Sequence, residues 1–257
     1  MYHHVSRVRL GLSCAAALVA VCLVGCGSSS SSSTASTGPS AQPVVYAAAS
    51  LTKVFPEIDS AAKYSFGGSG ALQTQIESGA PADVFAAASP EQPDALYANG
   101  LVTKPVEFAT NRLVLVTPAG NPAHITSVSD VTKPGVKLVI CNATVPCGDY
   151  ARKAFTNLGI TTAAMKNVVS EATDVTQVLA DVSLGQADAG FVYITDAQGS
   201  KGKVRVIELP AKAKPDTKDF IAVVVASHDR AGAEAFVHGV LSSEGRAKLL
   251  ADGFGTP

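Results

Sequence analysis

The chain has 257 residues, of which 47% are hydrophobic and 16% charged, with 20 Lys+Arg against 21 Asp+Glu and a formal charge of -1. That length suits one large or two small globular domains. The near-neutral balance, with no cluster of Lys or Arg, excludes an electrostatic nucleic-acid partner, which needs a basic face to displace phosphate counterions.

Arg7 and Arg9 lead into an apolar run from Leu10 to Val24. It is short for a bilayer span and suits the core of a signal peptide. Its end, Leu23-Val24-Gly25-Cys26, resembles the lipobox of bacterial lipoproteins, which implies cleavage before Cys26 and a lipid on the Cys26 thiol. Ser28 to Ser33 follow at once without stop-transfer charges, which argues against an uncleaved anchor helix. From Gly27 to Pro43 there is neither a charge nor a large apolar side chain, so this segment cannot offset its ordering entropy and reads as a flexible tether. The expected layout is a leader at 1–25, a lipidated tether at 26–43, and a folded part held outside the cytoplasm on the cell membrane.

Cys14 and Cys22 leave with the leader and Cys26 carries lipid, so Cys141 and Cys147 remain as an even pair in an oxidising compartment. A disulfide between them is expected. The other reading of two thiols is a metal site, but His124, His228 and His238 all lie far from the pair in sequence, whereas zinc needs four clustered ligands. No metal coordinated by side chains and no cofactor is expected.

From residue 44 onward, short β-branched runs alternate with helical patterns. Candidate strands are Val44 to Ala49, Ala82 to Ala87, Leu113 to Thr117, Lys137 to Cys141, Ala189 to Ile194, Val204 to Leu209 and Ile221 to Ala226. Several are apolar at consecutive positions, as strands covered on both faces are. Between them, Ala151, Ala154, Phe155 and Leu158 recur at helical spacing, as do Val175, Val178, Leu179 and Val182 before Gly185. Pro56 predicts a short or kinked first helix. The alternation predicts an α/β protein with mainly parallel sheets, and the length after the tether suits two lobes.

In such sheets, ligands collect where strands hand over to helices. Four handovers end in small or hydroxyl residues: Ala48-Ala49-Ser50-Leu51, Gly67-Gly68-Ser69-Gly70-Ala71, Val145-Pro146-Cys147-Gly148 and Thr173-Asp174-Val175. Each helix start offers unpaired N–H groups and a positive dipole end, which favour an anion. Ser50, Ser69 and Asp174 are also good N-cap residues, and ordinary capping explains any one of them alone. Four together favour an anion cradle.

These segments, with Gln73-Thr74-Gln75-Ile76-Glu77-Ser78-Gly79-Ala80-Pro81-Ala82-Asp83 and Gly190-Phe191-Val192-Tyr193, resemble the periplasmic molybdate-binding protein family of ABC transporters across most of residues 44 to 254. The resemblance implies a two-lobed periplasmic-binding-protein fold of type II, with two crossover strands and a tetrahedral oxyanion in the interlobe cleft. It implies Ala48, Ser50 and Ser69 as ligand residues of the first lobe, and Cys147, Val175 and Tyr193 as those of the second. Molybdate or tungstate is then the expected ligand, an ABC permease the expected partner, and a monomer the expected state. The first lobe is expected at 44–113 plus 224–257, and the second at 114–223.

Asp149, in the first turn after Cys147, would repel an anion if it faced the cleft, and is expected to point to solvent. Lys212, Lys214, Asp216, Lys218 and Asp219 read as a solvated loop of mixed charge. A receptor of the same fold for sulfate or phosphate is the nearest alternative, and no arginine at the four loops supports it. An exported hydrolase with Ser50 or Ser69 as nucleophile is a second: Gly67-Gly68-Ser69-Gly70-Ala71 fails the nucleophile-elbow pattern at its last position, so no enzyme activity is expected. A surface adhesion lipoprotein is a third, and would leave the four loops unexplained.

Overall fold

The computed structural model describes residues 42–257. The leader, Cys26 and nearly all of the tether lie outside the described residues. Among those described, no helix is long and apolar enough to cross a membrane.

Two five-stranded sheets build a two-lobed α/β fold. In the first, β1 (Val44–Ala48) runs parallel to β2 (Lys63–Gly67) on one side and to β3 (Val84–Ala87) on the other. Next to β3 lie β10 (Thr217–Val223) and then β4 (Val106–Asn111), with β10 antiparallel to both. In the second sheet β6 (Leu138–Cys141) runs parallel to β7 (Val168–Ala172) and to β8 (Ala189–Tyr193). There β5 (Leu113–Pro118) is antiparallel to β8 and to the edge strand β9 (Val204–Glu208).

Both sheets are therefore mixed, not mainly parallel. The cause is the chain path: β4 ends at Asn111 and β5 begins at Leu113, so the chain crosses between sheets with Arg112 alone between two strands, and it returns from β9 into β10. This return also corrects the expected solvated loop. Thr217 to Val223 are hydrogen-bonded into the first sheet, although the second lobe was expected to extend to 223, and Asp219 is buried. A bulge between Asp219 and Phe220 shifts the register against β4, while Thr217, Asp219 and Ile221 all stay on the buried side of the strand.

Helices cover the sheets as their apolar stripes require. The helix α1 (Val54–Ile58) is one short turn with Pro56 in it, and buries Val54 and Phe55. After β2 comes α2 (Ser69–Glu77), and after β3 comes α3 (Glu91–Ala98). In the second lobe α4 (Pro146–Leu158) buries Tyr150, Ala151, Ala154 and Phe155 and stops at Gly159, whose φ of 71° is left-handed. The short α5 (Thr161–Met165) precedes β7; α6 (Val175–Ser183) buries Val175, Val178 and Val182, and α7 (Ile194–Gly199) follows β8. The last two helices, α8 (Arg230–Leu241) and α9 (Ser243–Ala251), return to the first lobe. There Phe236 of α8 meets Phe55 edge-on at 5.3 Å between ring centroids, and Asp252 pairs with Lys53.

Candidate functional site

The carboxyl ends of β1, β2 and β3 face those of β6, β7 and β8 across a small cavity, about 10 Å³ in volume. The first lobe contributes Ala48 and Ser50 from the turn after β1 and Ser69 from the start of α2; the second contributes Cys147, Val175 and Tyr193. All six residues taken from the sequence thus line one cavity. Sequence reasoning missed Ala88, which also lines it. Its N–H donates to Ser69 Oγ at 3.3 Å, fixing that hydroxyl while leaving its proton free to donate. The signal was available in the run Ala86-Ala87-Ala88-Ser89 at the carboxyl end of β3, another handover of strand to helix built from small residues.

The hydroxyls are in an unusual state. Ser50 and Tyr193 are 6% and 2% exposed, and neither Ser50 Oγ nor Tyr193 Oη has a hydrogen-bond partner in the protein. Leaving such groups unpaired costs about 1–3 kcal/mol each. Burial pushes the Tyr193 phenol well above its ordinary pKa, so it stays protonated and able to donate.

Backbone donors surround the same space. No side chain caps α2 or α4, and Pro146 opens α4 without an N–H, which makes Cys147 the first residue of that helix with one to give. At α6 the Asp174 carboxylate accepts from Gln177 N–H at 3.0 Å, which commits it to capping and leaves Val175 at the cavity wall. Cys141 and Cys147 are joined by a disulfide with Cα atoms 5.7 Å apart, tying the end of β6 to the first turn of α4.

Charge is nearly absent from the wall. Among its lining residues only Asp174 is ionisable as an acid, and there is no Arg, Lys or His. Asp149 does not line the cavity; its side chain is 40% exposed and pairs with Lys153 at 2.6 Å. Below Tyr193, Asp196 Oδ2 accepts the Tyr193 N–H at 3.0 Å, and burial raises the Asp196 pKa to about 7. The Asp219 carboxyl is also pushed well up, first by burial and then by the neighbouring Asp196 carboxylate. The described residues contain no group of three or more His, Cys, Asp and Glu able to hold a metal ion. A cavity lined by fixed and mostly neutral donors can hold an anion.

Comparison with known proteins points the same way. Residues 43–255 match the family model for bacterial extracellular solute-binding proteins. The chain is 39% identical over 262 residues to "Molybdate-binding protein ModA" of Mycobacterium tuberculosis, covering 97% of this chain and 99% of the relative. The chain belongs to the ModA family. Two solved structures share its fold. The substrate-binding domain of a putative molybdenum ABC transporter from Clostridium difficile is 31% identical with a TM-score of 0.60, covering 84% of this chain and 99% of that one. The Azotobacter vinelandii periplasmic molybdate-binding protein is 24% identical with a TM-score of 0.75, covering 84% of this chain and all of the other, and so bears on the fold alone. Membership of the ModA family makes this chain a solute-binding protein of the two-lobed type.

Proposed function

We propose that this protein captures molybdate, and tungstate with it, outside the cytoplasm and delivers it to an ABC permease, held to the membrane as a monomer by lipid at Cys26. One observation carries the reading. Two buried hydroxyls on opposite lobes, Ser50 Oγ and Tyr193 Oη, lack protein partners and face a cavity whose other donors are the Ser69 hydroxyl and backbone N–H groups. A tetrahedral dianion supplies the acceptors that these groups lack, and uncharged donors hold it without the attraction of a full countercharge, so that it can leave again.

Molybdate and tungstate are nearly the same size and bind alike. Sulfate is smaller and reaches fewer donors at once, and phosphate keeps a proton that needs an acceptor this wall does not offer. No side chain in the cavity plays a hydrolytic part, because Ser50 and Ser69 have no histidine beside them there.

The test is thermal unfolding with molybdate, tungstate, sulfate, phosphate and chloride. A ligand at a hundred times its Kd stabilises by about 2.7 kcal/mol. Shifts confined to molybdate and tungstate support the reading. A shift with sulfate or phosphate alone overturns the ligand, and no shift with any anion overturns the binding function.

A further inference from the structure

Two backbones meet beside the cavity. Gly68 and Gly70, in the turn from β2 into α2, lie against the second lobe: a Cβ built on Gly68 falls far inside 3.0 Å of the Thr173 carbonyl oxygen, and one built on Gly70 falls as close to the Thr144 carbonyl oxygen. Real Cβ atoms essentially never come within 3.0 Å of such atoms. Val145 Cγ2 closes the space from a third direction, 3.0 Å from the Gly68 position. Every one of these neighbours is in the second lobe, in the segments that lead into α4 and α6. Neither glycine is needed for its own conformation. Gly68 has φ −66° and ψ 131°, open to any residue, and Gly70 is an ordinary helical position.

We infer that Gly68 and Gly70 are the closure stops of this receptor, letting the lobes approach to backbone contact and no further, and so setting the size of the oxyanion the cavity accepts. This rests on the oxyanion reading above. Donors such as Ser50 and Tyr193 sit on opposite lobes, so the distance between lobes is the distance between donors. A backbone-to-backbone stop fixes that distance: an ion too small to reach both sides cannot be gripped by further closure, because peptide groups do not yield as side-chain tips do. Lys153 of α4 spans the same junction to Glu91 of α3 at 3.4 Å, from outside the cavity.

The experiment compares Gly68→Ala, Gly70→Ala and a control, Gly239→Ala, whose Cβ would meet nothing within 4 Å. Each is measured for melting without ligand, for molybdate Kd by calorimetry, and for the change in radius of gyration on adding molybdate by solution scattering. Alanine suits both backbone conformations, so unliganded melting is expected to stay at or above that of the parent. Molybdate Kd is expected to rise at least tenfold in both variants, and the contraction seen in the parent to shrink; the control keeps parental values. Parental Kd and contraction in both variants overturn the inference. If Gly68→Ala melts early, Gly70→Ala decides by the same readouts. A parent that binds no oxyanion overturns the proposed function instead, which separates the two failures.

Discussion

Ser50 follows β1 of one sheet and Tyr193 ends β8 of the other, yet they line one cavity, and both of their hydroxyl oxygens are buried without a protein partner. With the lobes together that arrangement is costly without an acceptor, and the anion supplies one.

The first prediction follows directly. Tyr193→Phe removes an unpaired buried hydroxyl, so ligand-free melting stays level or rises, while molybdate affinity falls about tenfold to a hundredfold, the range for a hydrogen bond to a charged group. Ser50→Ala behaves alike. Calorimetry beside thermal melting checks both, and lower stability with unchanged affinity would mean that the hydroxyls are structural.

A second concerns pH. The Asp196 carboxyl titrates at about 7 in the folded protein because it is buried, against 3.8 for an ordinary aspartate. A raised folded pKa favours folding below the unfolded value, and that contribution is lost as pH rises from about 4 to 7. Asp196→Asn keeps an acceptor for the Tyr193 N–H and does not ionise. Its stability is expected to exceed that of the parent progressively from pH 4 to 7, by up to about 4 kcal/mol, and the gap then levels off. Denaturant melts across that range test it, and a gap independent of pH refutes it.

The disulfide gives a third. Only six positions separate Cys141 from Cys147, so on the chain-entropy account it stabilises the fold by about 2 kcal/mol at most. It also holds the turn that presents the Cys147 N–H. Replacing both cysteines by serine is expected to lower the melting temperature modestly and to weaken molybdate binding several-fold. Unaltered affinity would show that α4 positions this donor unaided.

The fourth prediction is small by design. Lys153 and Glu91 are each about half exposed, so their pair across the lobes is screened by solvent. Lys153→Met is expected to weaken molybdate binding less than tenfold at low salt and not at all at high salt. Binding measured against ionic strength checks this.

Most interior strands were legible in the sequence and most edge strands were not; the exception inside is β10, expected at Ile221 to Ala226 and found at Thr217–Val223. The segments of β1, β3, β5, β6 and β8 are apolar runs with both faces covered, and all were anticipated within a few residues. Strands β2, β4 and β7 were missed, and each lies at a sheet edge, where half the side chains meet water and Val169 is itself 59% exposed. The edge strand β9 was found because half of Val204 to Leu209 is β-branched. Asp219 was misread because a charge next to Lys218 looks solvated, although it shares the buried side of β10 with Thr217 and Ile221. The four handovers at the site were legible from their small or hydroxyl residues at the ends of strands, and Tyr193 came only with the family resemblance. The convergence was not legible, since it depends on how the two lobes pack, and the stop at Gly68 does not follow from local sequence.

A single residue, Arg112, joins β4 to β5, and it is held from several sides: its N–H donates to Asn111 Oδ1 at 2.8 Å, its guanidinium reaches Glu208 at 2.8 Å, and Asn111 Nδ2 donates to Thr195 Oγ1 at 3.0 Å. The same joint is bonded to the cavity wall: the Ile194 N–H donates to the Arg112 carbonyl at 2.9 Å, and Leu113 pairs with Tyr193. The crossing between lobes and the placement of the Tyr193 phenol are therefore one piece of backbone, and a change at Asn111 or Arg112 reaches the site without touching the ligand.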